Sequence, residues 1–428
     1  MCLLDSVVAV AALGFADPLV GTSGDGHATP AAAVPFGLVQ AGPDTGIGKW
    51  EYTSGYQYAD QTIVGFSQTH LNGTGCPDLG DVSLMPFVDE YDGYAWSNFK
   101  KDSERAEPGR YRVHLRKGEI DVDVTATERV ALYSFAYATG NVRRVCLNLP
   151  FAIEYPGSWS CKWFGSASEV RGSDTVTGRY ERSVWSRRKV AFAVRFDHPI
   201  KAVRQIVAAE GARPPKYLLD FDLAANEPLK VKVALSRTTP EAALKNMEAE
   251  AGGWDFAARR AAAREKWGAY LSRVQAEGDE ERLRSFYSAL YHSMVKPGEC
   301  GEGYYGFSTM WDMSRTQLPL VYSFFPDTAR GIAVCMMDVT ARLGHFPNFY
   351  NMCGKHGTRD SQATALAAFS LCDAFFRGAL TKDDYVRMKA AFQNQIDGTK
   401  TDGKSPTYSL DLSGACRAAA FVADACGD

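Results

Sequence analysis

The chain has 428 residues, with 47 basic against 50 acidic side chains and a formal charge of −3. That length points to two or three domains, and 46% hydrophobic with 23% charged residues is ordinary for a protein with a sizeable core. Intrinsic disorder, collagen-like repeats and a coiled coil are excluded, and nothing in the charge balance argues for nucleic acid or an anionic membrane as partner. The 8 Trp and 20 Tyr read first as core residues and second as flat apolar ligand faces such as sugar rings take.

No apolar run reaches the length of about 18 residues that a membrane span needs. Val7 to Ala16 is short and apolar, ends in a small residue and has no Lys or Arg before it. It reads either as a signal-peptide remnant over residues 1–16 or as a first strand. The 10 cysteines are scattered, without CxxC or a Cys/His zinc spacing. Cys335 and Cys372 read as small buried hydrophobes in helices.

From about Val113 to Leu235 the pattern has period two. Ile120, Val122, Val124 and Ala126 alternate with Asp121, Asp123, Thr125 and Thr127, as in a strand with one wet face. Val190, Phe192, Val194 and Phe196 form another set, as do Leu229, Val231, Val233 and Leu235 against Lys230 and Lys232. Short strands punctuated by turns predict an antiparallel sandwich. The period then switches. Thr239 before Pro240 and Glu241 is a helix start, and a helix is predicted over Asp255 to Val274. Leu283, Phe286, Tyr287, Leu290, Tyr291 and Met294 repeat at helical spacing up to Pro297 and Gly298. Further helices are predicted from Thr328 to Leu343, closed by Gly344, and from Ser361 to Phe376, closed by Gly378. Thr381 with Asp384 opens another.

Two segments look like a site. Gly21 to Asp81 is rich in glycine interleaved with His27, His70, Asp78 and Asp81, which suits a polar pocket built from loops, or a set of tight turns. Asn72-Gly73-Thr74 is a glycosylation sequon inside it. Tyr305 to Arg315 sets Trp311 beside Asp312 with Arg315 three residues on: a stacking face, a hydroxyl acceptor and a cation, or a helix ion pair.

Together these segments resemble glycoside hydrolase family 92, the calcium-dependent exo-acting α-mannosidases. Its opening signature, N/D-P-[FL]-[IV]-G-T-x-G-x-G-H-x-x-P-x-A-x-x-P-F-G, is matched from Asp17 to Gly37. Its run F-S-H-T-H-L-S-G-T-G-C-x-D-L-G-D is matched from Phe66 to Asp81, with Gln68 for the first His and Asn72 for Ser. Thr127-Glu-Arg129, Phe286-Tyr-Ser-Ala-Leu-Tyr291 and Ser308-Thr-Met-Trp-Asp312 follow in the family's order.

The resemblance implies an N-terminal antiparallel β-sandwich over 17–236, a helical linker over 237–276, and part of an (α/α)6 barrel over 277–428. It implies that Gly26, His27, Trp50, Ser54, Gly55, Tyr56, His70, Gly75 and Asp78 from the sandwich, and Trp311, Asp312 and Arg315 from the barrel, bind the terminal mannose of a mannose-containing glycan. It further implies inversion by a general acid and a base-activated water, Ca2+ as cofactor, engaging the sugar O2 and O3, and a secreted, periplasmic or cell-surface location. The family's general acid is a Glu in a K-T-L-E-Y-A type segment. Here Ser409-Leu-Asp411 stands nearest to it, which makes Asp411 the candidate acid against an ordinary helix carboxylate. The family's base loop, G-N-x-D-x-G-Q-M-S, has no match in the sequence. The alternative is therefore a non-catalytic carbohydrate-binding protein or an inactive fragment.

Overall fold

The computed structural model describes residues 12–224, 227–306, 308–343, 346–347, 365–398 and 406–428. The beginning of the apolar run at Val7, the stop at Gly344 and the helix start at Ser361 lie outside these residues. Two compact units are formed, Met1–Trp185 with Lys189–Gly298 and Ser186–Arg188 with Glu299–Asp428.

The first unit is built on two antiparallel sheets. In spatial order the seven-stranded sheet runs Ala32–Ala33, Gln40–Asp44, Gly65–Ser67, Ser83–Val88, Arg143–Asn148, Lys216–Phe221 and Ala202–Val207. The eight-stranded sheet runs Lys162–Arg171, Thr175–Ser183, Arg187–Phe196, Leu229–Ser236, Val130–Tyr137, Ile120–Ala126, Arg110–Leu115 and Arg105–Glu107. Their inner faces interdigitate through aromatics. Phe66 meets Tyr111 and Tyr133 at 6.5 Å between ring centroids, and Phe196 meets Phe221 at 4.8 Å. The expected sandwich of antiparallel strands is thus present, and helices follow it.

The predicted wet face is present at Asp121, which is exposed, and at the part-exposed Asp123, but it is covered where helices pack over the sheet. Helices Pro240–Ala251 and Phe256–Leu271 lie over the outer face of the larger sheet. Ala243, Met247 and Ala251 pack there on Val130, Leu132, Ala193 and Ala234. Lys232, placed on the polar face by its alternation, is 2% exposed, sits 4.0 Å from the Trp254 ring centroid and donates to the Gly252 carbonyl at the helix end. A sheet covered on both sides explains the near-continuous apolar runs Val190–Phe196 and Val231–Leu235.

The helix starts are set by side-chain caps. Thr239 accepts from Ala242 N, Asp255 from Ala258 N and Asp279 from Arg282 N. The helix expected to reach Val274 stops at Leu271, where the Ser272 amide turns back onto Gly268 O and Tyr270 O. Within Glu280–Val295, Tyr287, Leu290, Tyr291 and Met294 are buried as their spacing predicts, while Phe286 remains 38% exposed at the edge of the stripe.

These two helices hold the opening signature in place. Trp267 Nε1 donates to Ala33 O at 2.6 Å, its ring lies 4.3 Å from that of Tyr291, and Phe36 N donates to Met294 O at 2.8 Å. The Thr127-Glu-Arg129 match is a clamp on helices Pro240–Ala251 and Phe256–Leu271. Glu250 accepts from Thr127 Oγ1, Arg129 N and Arg129 Nε, and Glu128 pairs with Lys266.

The deepest polar contact of this unit is the ion pair of Arg182 with Asp81, both fully buried, at 2.7 Å. Asp81 also accepts from Thr69 Oγ1 and Tyr180 OH, and Arg182 donates to the carbonyls of Leu79 and Phe151.

The second unit is helical, with Met310–Met313, Gln317–Phe324, Pro326–Leu343, Leu366–Phe376, Tyr385–Gly398 and Pro406–Cys426. Thr381 and Asp384 form the predicted capping box, and Asp384 also pairs with Arg330. Cys335 and Cys372 are buried in their helices, as read from the sequence.

Replacing Arg182 by Met strands the Asp81 charge in the core. We expect the unfolding free energy to drop by about 3–5 kcal/mol, read as a lower urea midpoint, with the Asp81→Asn, Arg182→Met double variant recovering part of the loss.

Candidate functional site

In the first unit the predicted residues fall into a surface cluster and a buried layer. The cluster at the surface is the exposed Trp50 with Gly75 and the buried His27 packed against it. Trp50 lies in the turn Trp50–Tyr52 and is 43% exposed. His27 meets it edge-on with centroids 5.1 Å apart, and its Nδ1 is 2.7 Å from Thr53 Oγ1. Gly75 is required here, because a Cβ would stand 2.6 Å from the indole. Gly26 closes the turn before His27, its amide donating to Ser23 O. The cluster offers solvent the flat aromatic face of Trp50, backed by the buried His27, a surface able to take the apolar side of a sugar ring.

The buried layer comprises His70, Gly55 and Asp44. His70 Nδ1 donates to Gln40 O at 2.7 Å, which turns Nε2 toward Asp44 Oδ1 and Ser67 Oγ, each 3.1 Å away. Asp44 further accepts from Ser67 N and Ser67 Oγ. Burial lifts its carboxyl above the usual range, against the lowering effect of His70 and Ser67. Gly55 has φ 80°, and a Cβ there would come within 2.8 Å of Asp44 Oδ1, so only glycine lets this turn close over the pair.

Three of the expected residues are struts. Ser54 is fully buried, with its hydroxyl directed to Tyr56 O. Tyr56 is fully buried, its OH donating to both oxygens of Glu104 at 2.8 and 2.9 Å, and that carboxylate with burial pushes the phenol far above its ordinary pKa. Asp78 is buried and accepts from Leu79 N. Leu79 and Val82 take positive φ of 72° and 52°, a conformation that costs such side chains on the order of 1–3 kcal/mol. The surrounding bonds impose it: Arg182 and Ile153 N donate to Leu79 O, and Gln68 Nε2 donates to Val82 O.

The two departures from the family run have specific jobs. Gln68, besides its bond to Val82 O, accepts from Tyr133 OH of the opposite sheet at 3.0 Å. Asn72 Oδ1 accepts from Thr29 N and lies 3.1 Å from His292 Nδ1, while its Nδ2 donates to His292 O. With Gly73 N donating to His27 O, the backbone on either side of His27 is pinned to helix Glu280–Val295. The side chain of the sequon asparagine is thus engaged at both its oxygen and its nitrogen.

In the second unit Trp311 and Asp312 lie on the turn Met310–Met313. Trp311 is 55% exposed, and Asp312 accepts from Thr309 Oγ1 at 2.9 Å. Arg315 is exposed. Asp411 lies in the second turn of Pro406–Cys426 and not at its N-terminus. Burial raises its carboxyl above the usual range, and the charge of Arg315 is near enough to oppose this. The structure therefore brings the candidate acid and the candidate cation of this unit into one electrostatic neighbourhood. Among the described residues no three His, Cys, Asp or Glu side chains converge as a metal site.

Sequence reasoning passed over Asp44, Thr53, Arg182, Glu104 and His292. Asp44 sits in Gly42-Pro-Asp-Thr-Gly46, a turn signal that could have flagged it. Arg182 and His292 meet the loop only through the fold and carry no local mark.

Residues 15–236 match the model described as the glycosyl hydrolase family 92 N-terminal domain, and residues 242–412 that of the family 92 catalytic domain. The chain is 25% identical over 413 residues to an uncharacterized secreted glycosidase of Arthroderma benhamiae, covering 87% of this chain and 50% of that protein. A family GH92 α-mannosidase of Bacteroides thetaiotaomicron in complex with mannoimidazole superposes with TM-score 0.84 at 22% identity, over 96% of this chain and 61% of that one. A family GH92 inverting mannosidase of Bacteroides thetaiotaomicron gives TM-score 0.76 at 23% identity, over 91% and 56%. The chain spans half the length of the curated relative and less than two thirds of these solved chains.

The His292 anchor titrates. Burial pulls its imidazole down to about 4, whereas an unfolded His takes its proton near 6.5. Its stabilisation is therefore complete above pH 6.5 and falls away as the pH drops to 4, by roughly 3 kcal/mol. His114 and His198 move the other way. Burial opposes their charge, but Asp121 with Glu119, and Asp197 with Glu227, lift them above 6.5, so what they add is present below that pH and lost as the pH rises. Proton NMR should show His292 titrating below His114 and His198 on acidification, and His292→Gln should flatten the acid limb of the stability profile.

Proposed function

Because the chain belongs to glycoside hydrolase family 92, we propose that it acts on mannose-containing glycans outside the cytoplasm, as part of an enzyme that removes terminal α-linked mannose with inversion. The observation that carries this reading is the match of both family domains in sequence, across residues 15–236 and 242–412. Secretion is supported by the name of the Arthroderma benhamiae relative. Among the described residues no helix is long and apolar enough to cross a membrane.

In this reading the exposed indoles of Trp50 and Trp311 stack on sugar faces and Asp312 accepts a sugar hydroxyl. Asp411 is the general acid. An acid must hold its proton until the glycosidic oxygen needs it, and burial raises Asp411 in that direction. Once the proton has gone to the leaving oxygen, the nearby Arg315 charge stabilises the carboxylate left behind. Inversion further needs a base on a water opposite, with the two carboxyls about 6.5–9.5 Å apart; we assign no residue of this chain to it. Calcium belongs to the proposal as a hard cation that would polarise sugar hydroxyls. The described side chains form no cluster to hold it, so no step is drawn through it.

A second reading, saccharide binding without turnover, rests on the sequence having no match to the family's base loop. Mannose release from 4-nitrophenyl α-mannoside and from α-mannobiose, with calcium and with a chelator, tests both. Calcium-dependent release supports the enzyme reading, and binding of mannobiose without release supports the second. If Asp411 is the acid, Asp411→Asn should lower kcat on mannobiose by about 10²–10⁴. The nitrophenyl substrate, whose leaving group needs little protonation, should suffer far less. Equal losses on both would remove Asp411 from the role.

A further inference from the structure

We propose that the first unit carries a second saccharide-binding site, in a cleft walled by Asp17, Tyr58, Glu107, Arg264 and Arg284. The inference rests on the glycan reading above, because it concerns where a further sugar of the same glycan would sit. The cleft has a volume of about 500 Å³, within the range of small-molecule sites and roomy enough for one or two sugar rings. None of its lining residues belongs to the cluster of His27, Trp50 and Gly75.

Its walls come from separate stretches of chain: the segment preceding the opening signature, the strand Arg105–Glu107, and the helices carrying Arg264 and Arg284. The base is rigid. Glu104 is 3% exposed and takes hydrogen bonds from Tyr56 OH, Tyr111 OH and Lys101 Nζ. Lys101 in turn lies 4.5 Å from the ring centroid of Tyr58, which stays 44% exposed at the mouth. At the rim, Arg264 and Glu107 are 4.0 Å apart with half of each side chain exposed, and Arg284 and Asp17 are 3.6 Å apart, distances too long for hydrogen bonds. Arg284 Nη2 donates to Glu280 and Asp17 Oδ1 accepts from Leu19 N, so the rim groups bring further polar atoms besides those already bonded.

The charge pattern selects the ligand class. Lys101, Arg105, Arg264 and Arg284 line the cleft together with Asp17, Glu104 and Glu107. A phosphate or sulfate would face three carboxylates, and a cation would face four positive side chains. A neutral polyol suits both sets, since each hydroxyl can accept from an Arg fork and donate to a carboxylate. Adjacent hydroxyls of a sugar match the planar, two-pronged geometry of these groups, and Tyr58 supplies an apolar edge.

The test is titration of the full chain with α-mannobiose, followed through the backbone amide shifts of Tyr58, Glu107 and Arg264, and of Trp50 as an internal comparison. We expect the first three to move saturably, to keep moving in Trp50→Ala, and to stop moving in the Arg264→Ala, Glu107→Ala double variant, where Trp50 still responds. Circular dichroism of the double variant should match the parent, because both side chains are half exposed. Movement of Trp50 alone would overturn the second site and leave the glycan reading standing. No movement at any of these amides would overturn both. Shifts produced by sulfate that mannobiose cannot reproduce would make the cleft an anion site and reject the saccharide.

Discussion

The buried pair of Asp81 with Arg182 is the constraint on which the candidate site depends. Burying both charges is costly unless every remaining donor and acceptor is used. Here Asp81 is shared by Thr69, Tyr180 and Arg182, and Arg182 reaches two backbone carbonyls as well. One of those carbonyls belongs to Leu79, whose positive φ would not persist without such a hold. The loop from Phe66 to Asp81 thus has its shape dictated from below. The same loop carries His70, Asn72 and Gly75, which set the Asp44 pair, the His27 backbone and the room beside Trp50. Three features of the candidate site are placed by one buried ion pair.

Much of this was legible in the sequence, and what was legible had a local cause. Period-two patterning predicted the sandwich strands because alternation follows from strand geometry itself. The caps at Thr239 and Thr381 predicted helix starts because the capping side chain is the neighbour of the amide it satisfies. Alternation held for the exposed Asp121 and failed at Lys232 for the complementary reason. Whether Lys232 meets water depends on a helix that packs over it from later in the chain, and alternation carries no information on that. The site shows the same division. His27, Trp50 and Gly75 were marked by a glycine-rich motif, whereas Arg182 and His292 join it from more than a hundred residues away.

The departures at Gln68 and Asn72 show how a motif can change residues and keep its geometry. An imidazole at 68 would offer one donor and one acceptor; the amide of Gln68 supplies two donations and one acceptance in the same buried space. A serine at 72 has one short hydroxyl. Asn72 spans from Thr29 to the end of a helix, and so couples the opening signature to Glu280–Val295. Both substitutions replace one polar strut by a longer one, which suggests that position, more than chemistry, is what these two places supply.

The same bookkeeping narrows where acid–base chemistry can reside. Asp44, Asp78, Asp81 and Glu104 in the sandwich are all buried, and each is occupied by hydrogen bonds from its own unit. A carboxyl in that state cannot reach a glycosidic oxygen without dismantling the loop it supports. What the sandwich exposes here is the aromatic face of Trp50, with the imidazoles of His27 and His70 buried. A proton donor has to be partly accessible and yet reluctant to ionise. Asp411 in the helical unit fits both conditions, part-exposed on a helix and raised by burial above the usual carboxyl range against the opposing charge of Arg315. In the proposed reading, recognition falls to the rigid sandwich and proton transfer to the helical unit, a division that the solvation of each set of carboxyls favours.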